Sequence, residues 1–337
     1  MAALPDLSHT SRIDPLWFED GNVVLIAGER TCRVHRGILS RYSTVFSDLF
    51  TIPQPSDAPM LHGASIVTLS DDPQHLEYTL RALYDIDYLD NLASIYDIWY
   101  DHEIYPILIG VASLAHKYNI PPLLRRAVSR LKTAFSSTFE ELKTRSGFYC
   151  SRTENLVDPK LHPSTKPIIT LARRIHPSEL DSVLPIAFYM YSQSDTESLL
   201  EDALRSGQGS DEWDVSVEDI RCCMQARDML QRLSNLLTSF FLPVATNLSR
   251  DCITKQSCLS TLTELTRSAN RLELCTSRNP LRDMDEWFDS MDGLCDECLD
   301  RLKTRHRKER VRIWSNLGHT FKLDDRSGEN RLSQGYT

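Results

Sequence analysis

The chain has 337 residues, 41% of them hydrophobic and 25% charged, with a formal net charge of −9. That length allows two domains with cores of their own. The negative balance argues against sequence-independent nucleic-acid binding, which needs clustered Lys and Arg against phosphates. No stretch approaches the roughly 18 consecutive apolar residues of a membrane span, and the opening MAALPDLSHTSRIDP has neither a basic start nor an apolar run. A chain with no secretory signal and no membrane contact is expected, placed inside the cell in cytoplasm, nucleus or both.

In chain order, residues 1–15 are polar and expected to be mobile, and Trp17 and Phe18 give the first apolar anchor. Val23 to Ala27 is an unbroken apolar run. After a polar turn at Gly28-Glu29-Arg30, Cys32 and Val34 alternate with Arg33 and His35, which predicts a β-hairpin. Past His35 the period changes: Ile38, Leu39, Phe46, Leu49 and Phe50 fall at helical spacings. Strand, strand, helix, helix is an α+β opening. Residues 51–65 hold three prolines and a glycine and read as a surface loop. Ser65–Leu69, rich in β-branched residues, predicts a third strand. Asp72 and Pro73 supply an N-cap and a first helical position for a helix carrying Leu76, Thr79, Leu80 and Leu83 on one face. A further helix runs from Ile104 to Asn119, and another follows Pro121-Pro122 with Leu124, Ala127, Val128 and Leu131.

The second half is helical by pattern. Ile168, Leu171, Ala172 and Ile175 share a face, as do Leu180, Val183, Leu184, Ala187, Phe188 and Tyr191. Gly207 to Ser210 reads as a loop. Ser216 with Asp219 predicts the cap of a helix whose stripe is Ile220, Cys223, Leu230 and Leu237. Leu262, Leu265, Ala269 and Leu272 predict another. Trp287, Met291, Leu294, Cys298 and Leu302 predict a last one, and the tail from Asp324 is expected to be disordered.

The segment Asp20 to Phe50 resembles the core motif of the BTB/POZ domain. The residues that carry the resemblance are Asp20, Val34, His35, Ile38, Leu39, Ser43, Phe46 and Phe50. The capped Pro73 helix and the step from Ala115 to Leu123 continue the pattern. The resemblance covers about residues 17–135 and is closest to the BTB proteins abundant in mushroom-forming fungi. It implies a small sheet with a helical cluster over residues 16–135, and a fourth strand or variable loop over residues 85–103. It also implies a structural role for His35, binding to other proteins, homodimerisation, and in many members a bridge to a cullin scaffold. Adaptor members carry a hydrophobic-x-Glu motif after the third helix, whereas Leu83 to Leu92 has Asp85, Asp87 and Asp90 but no Glu. Residues 136–323 form the helical C-terminal region and 324–337 the tail.

Five of the nine cysteines fall between 252 and 298. Cys252-x5-Cys258 and Cys295-x2-Cys298 have the pair spacing of a structural zinc site. Cys295 and Cys298 also lie on an apolar helical stripe, where free cysteines serve as small buried hydrophobes. His306 is excluded as a further ligand on a continuous helix, because eight residues place it roughly 12 Å beyond Cys298. The basic run Lys303, Arg305, Arg307, Lys308, Arg310 and Arg312 reads as a solvated helix face, or else as a nuclear-localisation or phosphate-binding segment. No constellation supplies a nucleophile, base or cofactor cradle, so no enzymatic activity is expected. Two functions follow: a non-enzymatic interaction and oligomerisation protein, in its narrower form a ubiquitin-ligase adaptor, or a nuclear regulator whose Cys/basic segment binds nucleic acid.

Overall fold

Val23–Ala27 is apolar throughout because it is covered on both faces: none of its residues is more than 3% exposed. It is the middle strand, β2, of a five-stranded sheet. The computed structural model describes residues 10–53, 59–95, 101–135, 138–140, 162–175, 179–206, 213–271, 274–290 and 292–323. The chain divides into two compact units, Met1–Ala134 with Arg173–Leu180, and Phe135–Ala172 with Asp181–Thr337.

In the first unit, β2 pairs antiparallel with β3 (Arg30–Val34), and Gly28 makes the turn at φ +52°, where a Cβ is disfavoured. β1 (Ser11–Trp17) lies parallel to β3, so residues from Ser11 onward belong to the sheet and not to a mobile N-terminus. Its buried residues Ile13 and Leu16 are three apart, which hid the strand from a period-two reading. β5 (Ala64–Leu69) runs parallel to β2 on its other side. The supposed loop before it contains β4 (Met60–Leu61), joined to β5 through His62 and Gly63, both at positive φ as a tight hairpin turn requires.

The crossover from β3 to β5 carries α1 (Arg36–Tyr42) and α2 (Thr44–Thr51). Ser43 joins them. Its hydroxyl accepts from the Phe46 N–H at 3.0 Å, capping α2, and donates to the Tyr118 carbonyl at 2.5 Å. Asp72 caps α3 (Pro73–Tyr84) through the N–H groups of Gln74 and His75. Residues 88–95, expected as strand or loop, form helix α4 (Tyr88–Ile95). α5 (Asp101–Lys117) ends at Asn119 in the left-handed region, with the Ile120 N–H returning to the Ala115 carbonyl, and α6 (Pro121–Ala134) follows.

The second unit is helical: α7 (His162–Arg174, of which residues 162–172 belong to this unit), α8 (Leu184–Ser192), α9 (Thr196–Arg205), α10 (Val217–Thr238), α11 (Lys255–Arg271), α12 (Asp285–Asp289), α13 (Asp296–Ser315) and α14 (Leu317–Thr320). Ser216 caps α10 as its sequence predicts, 3.1 Å from the Asp219 N–H. The expected continuous helix through Trp287 and Leu302 is broken. Gly293, at φ +103°, separates α12 from α13. The loop at Gly207–Ser210, Leu272, Met291, residues 1–9 and the tail 324–337 lie outside the described residues.

α3 and α5 approach closely at Gly110, where a Cβ would meet the His75 ring at 2.5 Å. We expect Gly110→Ala to cost about 1–3 kcal/mol by overpacking, read as a lowered urea midpoint, and His75→Ala in the same chain to restore part of it.

Candidate metal centre

Two helix starts and one turn bring four cysteines together. Cys252 sits in the turn after residues 245–247, its N–H bonded to the Ser249 carbonyl. Cys258 lies in the first turn of α11. Cys295 is the N-cap of α13 and Cys298 belongs to its first turn. The two are therefore not consecutive positions on one helix face, as the apolar stripe had suggested, because the helix begins between them. Their four Sγ atoms lie within 4.8 Å of one another, and this group can hold a metal ion. Cys252 Sγ is 3.7 Å from Cys258 Sγ and 3.8 Å from Cys295 Sγ.

Backbone N–H groups point at two of these sulfurs. The Cys295 N–H reaches Cys258 Sγ at 3.4 Å and the Ser249 N–H reaches Cys298 Sγ at 3.3 Å. Donors aimed at sulfur favour thiolate, as do the positive ends of α11 and α13. Cysteines that merely fill a core have no need of them. Opposing this, burial pushes the Cys298 thiol up to about 12 and raises that of Cys252. At Cys295 burial also works upward, but the Cys298 N–H and the neighbouring sulfurs outweigh it and bring the thiol down to about 7. Four adjacent sulfurs cannot all ionise without a cation between them.

Sequence reasoning named the ligands but missed their supports. Ser257 donates to the Gly293 carbonyl at 3.0 Å, tying the turn before Cys295 to α11. The Asp292-Gly293 dipeptide was the available turn signal. The core behind the centre runs through Phe241, Leu262, Leu265, Phe288 and Leu302.

His306 is no ligand. It is 2% exposed, packed between Phe241 and Phe288, and its Nδ1 meets no hydrogen-bond partner among the described residues. It also lines an open pocket beside Phe241 and Arg282. The basic run is built into the unit and is not simply a solvated face. Arg310 is 1% exposed, donates to the Leu281 carbonyl and pairs with Asp283 at 3.1 Å. Lys303 pairs with Asp289, Arg307 with Glu140 and Arg312 with Glu309, while Arg305 donates to Asn247 and lies over the Phe240 ring. Lys308 is exposed.

In the first unit, the resembling residues make internal contacts. His35 bridges the Tyr84 hydroxyl (3.1 Å) and Asp20 (3.2 Å) where β3 meets α1. Val34 and Leu39 are buried, and Ile38 is partly buried. Phe46 stacks on Tyr118 at 4.5 Å, and the Arg36 guanidinium covers Phe50. No protein-family model matches the chain, and no curated protein or solved structure matches it. Among the described residues no helix is long and apolar enough to cross a membrane.

Burial lowers the His306 pKa from 6.5 to about 3, so the folded chain holds it neutral. The unfolded chain binds the extra proton between those values, and stability must fall as pH drops from 6.5 toward 3, by about 1.4 kcal/mol per unit. Urea unfolding across that range is expected to show a weaker acid dependence in His306→Phe than in the wild type.

Proposed function

We propose that the chain is a non-enzymatic protein-interaction protein. Its N-terminal unit, of BTB/POZ type, oligomerises and binds partner proteins. Its helical unit is fixed by a structural zinc ion at Cys252, Cys258, Cys295 and Cys298. The observation that carries the interaction reading is an apolar set left in solvent on the first unit. Tyr42, Val45, Ile52 and Met60 are 40–63% exposed, and Val45 and Ile52 are seven residues apart, two helical turns along α2 and its cap. A second copy of the chain is the occupant expected of such a surface in this domain type. If this is right, the full chain sediments as a dimer and Val45→Asp with Ile52→Asp sediments as a folded monomer. A wild-type chain that stays monomeric across a concentration series contradicts it.

Zinc is favoured by spacing. Zinc–sulfur bonds of about 2.3 Å in a tetrahedron set the sulfurs about 3.8 Å apart. Cys252 Sγ lies 3.7 Å from Cys258 Sγ and 3.8 Å from Cys295 Sγ. Elemental analysis should find about one zinc per chain, lost in Cys298→Ser and kept in His306→Phe. Zinc-free protein from a zinc-replete preparation contradicts the assignment.

The adaptor form of the function gains no support from residues 83–92, which lack the Glu of the adaptor motif. The nucleic-acid alternative is weakened by the engagement of Lys303, Arg307, Arg310 and Arg312 with carboxylates of their own unit.

A further inference from the structure

Three of the four cysteines are buried, and Cys295 is only partly so. It is the N-cap residue of α13, in an extended conformation with no side-chain cap bond, and it is the least buried residue of the four. Its neighbour Cys252 is 3.8 Å away and sits in a turn, next to Ile253, which is 89% exposed. A disulfide needs the sulfurs at about 2.05 Å, so closure asks for a movement of under 2 Å. The turn holding Cys252 can supply that movement. Cys298 is less able to: its Cα is fixed in the first helical turn, and its sulfur holds the Ser249 N–H. Cys258 is fully buried in the first turn of α11.

We propose that the four-cysteine centre is a peroxide-sensitive release point, at which Cys295 is oxidised first and Cys252 closes a disulfide with it. This rests on the zinc reading above and gives that site a regulation. The oxidant is a hydroperoxide. The Cys295 thiolate attacks the O–O bond: an S–O bond forms, the O–O bond breaks, and hydroxide leaves. The Cys252 thiolate then attacks the Cys295 sulfur: the S–S bond forms, the S–O bond breaks, and a second hydroxide leaves. Two thiolates lose two electrons in all. One hydrogen peroxide and two protons become two waters. The metal keeps two sulfurs of four and is lost, and the turn at 249–254 is no longer tied to the start of α13 through a metal.

The test is to load the full chain with zinc, add hydrogen peroxide, and follow free zinc with a colorimetric chelator while mapping disulfides by peptide mass. Cys275, partly buried and outside the cluster, reports general thiol oxidation in the same sample. Zinc release should track a Cys252–Cys295 disulfide, and a thiol reductant with added zinc should reverse both. A Cys275→Ser chain should release zinc at the same rate. A zinc-loaded chain that keeps its metal while Cys275 is oxidised overturns the release alone, as does a first disulfide between Cys252 and Cys258. A chain that takes up no zinc overturns the metal reading and the release with it.

Discussion

Bringing four sulfurs within 4.8 Å inside a protein creates an electrostatic demand. The backbone donors and the starts of two helices favour thiolate, whereas burial of Cys252, Cys258 and Cys298 opposes charge. A divalent cation satisfies both. Zinc held by such a set contributes on the order of 10–16 kcal/mol, as much as the whole stability of an ordinary domain at about 5–15. With zinc bound there, the elements that converge on the sulfurs, α11, the start of α13 and the turn at 249–254, would depend on one ion more than on any single apolar contact. Phe241, Leu262, Phe288 and Leu302 form the apolar body behind that staple.

The first unit is held differently. Its middle strand is buried on both sides, and its helices are fixed by polar groups at junctions. Ser43 caps one helix and holds the end of another, and Asp72 caps α3. His35 spends both ring nitrogens on Tyr84 and Asp20. These contacts give His35, Ser43 and Asp72 structural roles in this unit. On its outside this unit leaves Tyr42, Val45, Ile52 and Met60 in solvent.

Much of this was legible in the sequence. Val23–Ala27 shows its burial by composition, and Asp72-Pro73 and Ser216 announce their caps. The four ligands could be named as two pairs, but not assembled, because spacing along the chain does not report which ends meet. The stripe Trp287, Leu294, Cys298 and Leu302 keeps helical period straight through the break at Gly293, so period alone joined α12 to α13. β1 escaped because Pro15 interrupts it and its inward residues are three apart. Arg310 looked solvated because its partners, Leu281 and Asp283, lie 29 and 27 residues away. The sulfur-directed N–H groups carry no side-chain signature at all.

The central claim is a zinc ion held by Cys252, Cys258, Cys295 and Cys298. X-ray absorption at the zinc edge of the full chain tests it most directly. The account predicts a first shell of four sulfurs at about 2.3 Å with no nitrogen scatterer. A shell containing imidazole or oxygen ligands, or a chain that binds no zinc, would contradict it.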